Sequence, residues 1–201
     1  MRNRPTIVIL AAGQGSRFPG PLHKLEQPLG GGTVLSATLQ HAIQTQLPIV
    51  VVTVQRLVDQ VSALTARRDV VVLSDAEARR GVGHSIAAGV SERPGASSWL
   101  ILPADMPLVR SSTISEVAAA LSHHPVAYAQ YRGRRGHPVG FAAELYSELV
   151  ALQGDEGARR VIARYPGHAQ EIDDPGVLVD VDTPADLEAV RVAYADAHTA
   201  G

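Results

Sequence analysis

IVILAAGQGSRFPGPLHK, residues 7–24, is the stretch around which the rest of the chain is organised. Thr6 to Leu10 is a short aliphatic and β-branched run, which predicts a buried strand. It opens into the small residues Ala11, Ala12, Gly13, Gly15 and Ser16, and two cations follow, Arg17 and Lys24. A strand that empties into a small-residue loop lets backbone N–H groups approach an anion closely. Cations at the far end neutralise that anion, so a phosphate chain is the expected ligand. Of the 18 Lys and Arg residues, Lys24 is the only lysine. A compact point charge, kept where planar arginine forks are otherwise used, fits a site that needs the former. A lysine left by chance on a solvated loop is the alternative.

Two common phosphate motifs fail on the residues. Gly13-Gln14-Gly15-Ser16-Arg17-Phe18 approaches the dinucleotide fingerprint G-x-G-x-x-G, but Phe18 stands at the third glycine. That fingerprint also wants an acidic residue after the second strand. The next strand, Ile49 to Val54, runs into Gln55 instead. The Walker pattern needs Gly-Lys-Ser/Thr together and is absent.

The 201 residues fit one α/β domain, with 45% hydrophobic and 4% aromatic residues, as for Val, Ile and Leu strands against Ala-rich helices. A formal charge of −2 offers no electrostatic case for nucleic acid or an anionic membrane. The chain has no cysteine, which excludes disulfides, thiolate metal sites and a thiol nucleophile. Ile7 to Ala12 is too short an apolar run for a signal peptide or a membrane span, so a cytoplasmic protein is expected.

Strands and helices alternate through the first half. Thr33 caps a helix to about Thr45, Ile49 to Val54 is a central parallel strand, and Val58, Val61 and Leu64 fit a helix that ends near Arg67 and Arg68. Val70 to Leu73 is a third strand, Gly81 to Val90 a glycine-opened helix, Trp99 to Leu102 a fourth strand, and Ser111 to His123 a helix. This order predicts a three-layer α/β/α sandwich, Rossmann-like, with a mostly parallel sheet. Ligands in such folds sit beyond the carboxyl ends of the strands, which gathers residues 11–17 and Asp105 on one rim. In the second half, Val126 to Tyr131 and His137 to Ala142 read as strands around the basic turn from Arg132 to Gly136. Helices follow at about Ala143 to Leu152 and Asp155 to Tyr165, then a last strand from Val177 to Val181. Thr183-Pro184-Ala185-Asp186 is a strong helix start, and the tail after Asp196 is expected to fray.

Chemistry-bearing residues stand at the ends of these elements. Asp105 lies between Pro103 and Pro107, just past an apolar strand. Magnesium takes one or two such carboxylates together with phosphate oxygens; a turn aspartate bonding its own backbone is the other reading. Asp180 and Asp182 flank Val181, so period-two geometry puts both on one face. Gly81 and Ser85 open a helix where a ligand can approach, or simply cap it. Arg132, Arg134, Arg135 and His137 cluster in one hairpin, as a solvated turn or as a grip on a second anionic substrate.

Five segments resemble, in order, the MobA-like nucleotidyltransferases, within which the chain looks most similar to the molybdenum cofactor cytidylyltransferase branch. They are LAAGQGSRF with a following lysine, Gly81-x-x-x-Ser85, LPADMP around Asp105, Gly136-His137-Pro138-Val139 together with Gly154 to Arg159, and DVDTPADL from Asp180. The resemblance covers nearly the whole chain and implies a nucleotide-diphospho-sugar transferase type of fold in a single domain, 1–201. It divides the chain into a nucleotide-binding part, about 5–110, and an acceptor-binding part, about 111–196. It implies that Mg²⁺ is held by Asp105 and Asp182, and that Arg17, Lys24 and Asp105 are catalytic. Nucleotide contacts fall to Leu10, Ala11, Ala12, Gly13, Gly15, Arg17, Lys24, Gly81, Ser85, Pro103 and Ala104. Acceptor contacts fall to Arg135, His137, Asp155 and Arg159. The guanylyl branch tends to carry Leu-Ala-Gly-Gly where this chain has Leu10-Ala11-Ala12-Gly13. CTP is therefore the expected donor, with molybdopterin as acceptor and a molybdoenzyme as recipient of the product. Two departures stand out: a longer spacer between Arg17 and Lys24, and extra glycine between Glu26 and Gly32. An oxidoreductase on the same scaffold, using NAD(P)H as in nicotine-blue reduction, is the second expectation. Retained Asp105 and Asp182 weigh against it, since hydride transfer needs no metal pair. A nucleotide-binding chaperone that delivers a cofactor is the third.

Overall fold

The computed structural model describes residues 4–15, 18 and 21–199. Seven strands form one sheet: β1 Pro5–Ala11, β2 Ile49–Val54, β3 Val70–Leu73, β4 Ser98–Pro103, β5 Val126–Tyr131, β6 Arg134–Ala142 and β7 Gly167–Glu171. Their spatial order is β3-β2-β1-β4-β6-β5-β7, and β6 alone runs against the others. The strand sequences explain the layering. Along β1, Ile7, Ile9 and Ala11 face one layer and Val8 the other, all of them 0% exposed. The first layer packs helices Val34–Gln44, Ser111–Ala120 and Pro184–Thr199; the second packs Val82–Ser91, Tyr146–Val150 and Arg159–Arg164. With apolar residues on both faces, the strands read as continuous hydrophobic runs, as a sheet covered on both sides requires.

The chain passes from β1 outward through β2 to β3, then crosses back to lay β4 on the other side of β1. The connections after β1 and β4 therefore diverge, and a crevice opens between their carboxyl ends, where Leu10 is paired with Pro103.

Helix starts follow the expected chemistry. Thr33 accepts from the Ser36 N–H at 3.2 Å, and Thr183 accepts from the Asp186 N–H at 3.2 Å while Asp186 accepts from the Thr183 N–H at 2.7 Å. Several boundaries differ from expectation. The helix after Val58 stops at Ser62, that after Ser111 at Ala120, and the expected helices at 143–152 and 155–165 shrink to Tyr146–Val150 and Arg159–Arg164. The last helix runs from Pro184 to Thr199.

The main correction concerns the last strand. Residues 177–181 pair with no strand among the described residues; Pro175–Leu178 is a 3₁₀ turn, and the final strand is Gly167–Glu171. Val177 and Val181 are 0% exposed because they plug the core from a turn and an extended connection. The Val181 N–H bonds the Asp105 carbonyl at 2.9 Å instead of a sheet ladder. The actual final strand is polar, GHAQE, because it lies at the sheet edge where one side meets solvent. No helix among the described residues is long and apolar enough to cross a membrane.

Candidate active site

The loop after β1 is fastened by a residue that motif reading passes over. His23 donates from Nε2 to the Gly13 carbonyl at 2.8 Å and accepts at Nδ1 from the Leu25 N–H at 3.2 Å. The His23 N–H in turn bonds the Glu26 carboxylate at 2.7 Å, which Arg56 also holds at 2.7 Å. Gly15 sits at φ +60°, and a Cβ there would come within 2.7 Å of His23 Nε2, so the chain needs glycine at this point. These bonds set the chain position of Lys24 against the glycine loop. Arg17 lies outside the described residues, as does Ser16.

Burial pushes the His23 ring below its ordinary 6.5, against the opposing pull of its Gly13 bond. The unfolded chain therefore takes up the proton first. Stability present above about pH 6.5 is lost as the pH falls through that value and on through the lowered folded one. The melting temperature of the wild type is expected to fall between about pH 7 and pH 5 more steeply than that of His23→Gln. Equal slopes would remove His23 from this account.

Three aspartates meet at the crevice. Lys24 Nζ donates to Asp105 Oδ2 at 2.5 Å and to Asp182 Oδ1 at 2.7 Å, with side-chain exposures of only 13%, 15% and 22% for the three residues. Asp180 joins them: one oxygen from each of Asp105, Asp180 and Asp182 lies within 4.8 Å of the others. The shared face expected of Asp180 and Asp182 is thus present without the strand that was to produce it. Burial works against the Lys24 charge, but the Asp105 and Asp182 carboxylates outweigh it and hold the ammonium above its ordinary range. Desolvation, then the charges of Asp105 and Asp182, push the Asp180 carboxyl upward. Asp105 Oδ1 is buried and has no hydrogen-bond partner among the described residues. Lys24 was expected to face phosphate; here it neutralises the carboxylates.

The segment that carries Asp180 and Asp182 is anchored by Asp174, which is 1% exposed. Its carboxylate accepts from the Arg110 N–H at 3.0 Å, the Thr113 hydroxyl at 2.6 Å and the Gly176 N–H at 3.0 Å. Asp174-Pro175-Gly176 is a turn signal in the sequence, but nothing there marks its long-range partners.

Two adjoining clefts open on this side of the sheet, and Asp105 of the cluster borders the first. The first, about 440 Å³, is lined by Leu10, Ala12, Gly13, Gly81, Ser85, Pro103 and Asp105 among the expected residues, and also by Gln14 and Arg79, which were not foreseen. The second, about 350 Å³, brings together Arg135, His137, Asp155 and Arg159 over an apolar wall that includes Phe141 and Ile162. Leu10, Val82, Pro103 and Asp155 border both. Ala11 and Ala104 line neither: their side chains are core, and the Ala104 N–H is committed to the Leu10 carbonyl at 3.0 Å. Of the hairpin arginines only Arg135 reaches a cleft; it also lies 5.3 Å over the Tyr128 ring.

His137 is half-buried, and its Nδ1 has no hydrogen-bond partner among the described residues. Burial pushes its pKa below the ordinary value.

The clefts are coupled through backbone. Gly154 accepts from the Gly83 N–H at 2.9 Å and donates to the Arg80 carbonyl at 3.1 Å. Gly81 has φ +97°, and a Cβ there would stand 2.3 Å from the Gly154 carbonyl carbon, so only glycine closes this joint.

A mostly parallel sheet, a glycine loop after its first strand and carboxylates at its switch point define an α/β enzyme that handles phosphate esters. Residues 7–170 match the MobA-like NTP transferase domain, and the chain belongs to that family of nucleotidyltransferases. It is 32% identical over 200 residues to the purine catabolism protein PucB of Bacillus subtilis (strain 168), covering 92% of this chain and 95% of that protein. A nucleotidyl transferase from Methanothermobacter thermautotrophicus superposes with a TM-score of 0.80 at 25% identity, covering 97% of this chain and 99% of that one. Rv0371c of Mycobacterium tuberculosis H37Rv, solved in complex with manganese, superposes with a TM-score of 0.78 at 26% identity, covering 94% and 99% of the two chains.

Proposed function

We propose that the protein transfers CMP from CTP to molybdopterin and releases pyrophosphate. The observation that carries this reading is a pair of clefts that share Leu10, Val82, Pro103 and Asp155, the first of them bordered by Asp105 of the carboxylate cluster, an arrangement that suits a two-substrate phosphoryl-group transfer. The nucleotide lies in the cleft of Gly13, Gly81 and Ser85, with its phosphates toward Arg17 and Lys24. The acceptor lies in the cleft of Arg135, His137, Asp155 and Arg159. Its terminal phosphate oxygen forms a bond to the α-phosphorus while the bond to the β-phosphate bridging oxygen breaks. A phosphate nucleophile is already ionised, so no general base is required. The choice of CTP rests on Leu10-Ala11-Ala12-Gly13, and that of molybdopterin on the same resemblance. The likeness to a protein named for purine catabolism supports a recipient molybdoenzyme that acts on purines.

Asp105 and Asp182, with Asp180 beside them, suit a hard divalent cation such as Mg²⁺: the donors are all oxygens, and Asp105 Oδ1 is buried with an open lone pair. An ion held by Asp105 and Asp182 would offset the negative charge that develops on the phosphate oxygens during transfer. Cationic and backbone N–H groups of the chain supply the rest by orienting the two substrates.

Calorimetric titration with CTP, GTP, ATP and NADPH, each with and without Mg²⁺, tests the reading. CTP binding that depends on Mg²⁺ is expected. Preference for GTP would keep the reaction and change the donor. NADPH binding indifferent to Mg²⁺, without NTP binding, would overturn the proposal in favour of hydride transfer.

A further inference from the structure

We propose that Lys24 is the resident cation of the carboxylate cluster, and that a divalent ion enters by displacing it toward the nucleotide's phosphates. This inference rests on the metal reading above. Asp105 and Asp182 are half-buried beside the exposed Asp180, and three carboxylates this close repel one another unless a cation stands among them. Lys24 supplies the compensation with one compact ammonium that bonds two of them at once, at 2.5 and 2.7 Å.

The oxygens it uses, Asp105 Oδ2 and Asp182 Oδ1, belong to the same carboxylates that would hold a metal. Magnesium binds oxygen at about 2.0–2.1 Å. An ion on those oxygens would stand within a few ångström of Nζ, too close for two cations. One must leave, and only Lys24 is tethered. Its four-carbon stem lets Nζ swing, while its backbone is held beside the glycine loop by the bonds of His23 to Gly13 and Leu25. The displaced ammonium therefore arrives where the triphosphate lies. Asp105 Oδ1, buried and without a hydrogen-bond partner among the described residues, keeps its lone pairs uncommitted.

The exchange makes metal and nucleotide mutually reinforcing. An ion that releases Lys24 supplies the phosphates with a cation, and phosphates that draw Lys24 away vacate the carboxylates. Linkage requires that each strengthen the other by the same factor.

Lys24 is the only lysine in the chain, so it can be watched directly. In unmodified protein labelled with ¹⁵N-lysine, the side-chain ammonium gives one signal to follow. That signal is expected to move in step with Mg²⁺ occupancy and to move again when CTP is added. Mn²⁺ binding followed by electron paramagnetic resonance gives the complementary measurement. Without nucleotide, Lys24→Met is expected to bind Mn²⁺ about tenfold more tightly than wild type, whereas Lys24→Arg stays near wild type. The gain in Mn²⁺ affinity on adding CTP shrinks in Lys24→Met.

A lysine signal that stays fixed while Mn²⁺ and Mg²⁺ bind at Asp105, as shown by loss of binding in Asp105→Asn, overturns the exchange and leaves the metal reading standing. Equal Mn²⁺ affinity in wild type and folded Lys24→Met does the same. Failure of both proteins to bind Mn²⁺ even with CTP overturns the metal reading and this inference together. If Lys24→Met does not fold, the wild-type lysine signal decides alone.

Discussion

Asp105→Asn lowers the rate of pyrophosphate release by about a thousandfold, the order expected when a preorganised charge at the reacting phosphate is lost. The substitution keeps the shape of the side chain and removes one of the two carboxylates that Lys24 bridges. Stability changes little, because Lys24 retains Asp182 and one of three crowded, mutually repelling carboxylates is removed. The Asp105 carbonyl, which accepts from the Val181 N–H, is untouched, so the 173–182 segment stays in place. Turnover and thermal unfolding measured on the same preparation separate the two effects. Unchanged turnover would sink the assignment of metal to this cluster; a large fall in melting temperature would mean that Asp105 is structural first.

Asp174→Ala acts in the opposite way, through the fold. The residue touches neither cleft, yet its carboxylate satisfies three donors in a site 1% exposed. Removing it leaves the Gly176 N–H buried and the Arg110 N–H half-buried without this acceptor, at about 1–3 kcal/mol for the buried group and less for the other; the Thr113 hydroxyl can turn to another acceptor. A net loss of about 3 kcal/mol is expected, which in a chain of this size lowers the melting temperature by about 6–12 °C. Mn²⁺ affinity falls as well, because the turn that Asp174 caps leads directly into Asp180 and Asp182. Asp174→Asn, which keeps one acceptor oxygen, recovers part of both losses. A variant within 1 kcal/mol of wild type by chemical denaturation would show that the anchor lies elsewhere.

Elements were legible where a single physical cause dominated. The apolar runs at 7–11, 49–54 and 98–103 are strands because they are buried on both faces, and such runs have few other uses. Thr33 and Thr183 mark helix starts because capping is local chemistry within four residues. Legibility ended where context overrode composition. GHAQE is a strand because β5 offers it an edge, and nothing in those five residues says so. Val177 to Val181 looks more like a strand than GHAQE does, and is none: its valines fill the core from a turn, and its Asp180 and Asp182 point together without a ladder. His23 was unremarkable in the spacer because its partner, the Gly13 carbonyl, is a backbone group without a sequence signature.

The sequence by itself determined the sheet's central strands, the glycine loop after the first of them and the set of acidic and basic residues carried on the connections. These follow from local pattern, because burial and capping act within a few residues. Tertiary structure alone decided that Lys24 meets aspartates 81 and 158 residues away. It also decided that Asp155 borders both clefts, and that two turns interlock at Gly81 and Gly154. The reason is topological. Crossing back from β3 to β4 places chain ends far apart in sequence around one crevice, and charges that no local pattern relates then compensate one another there.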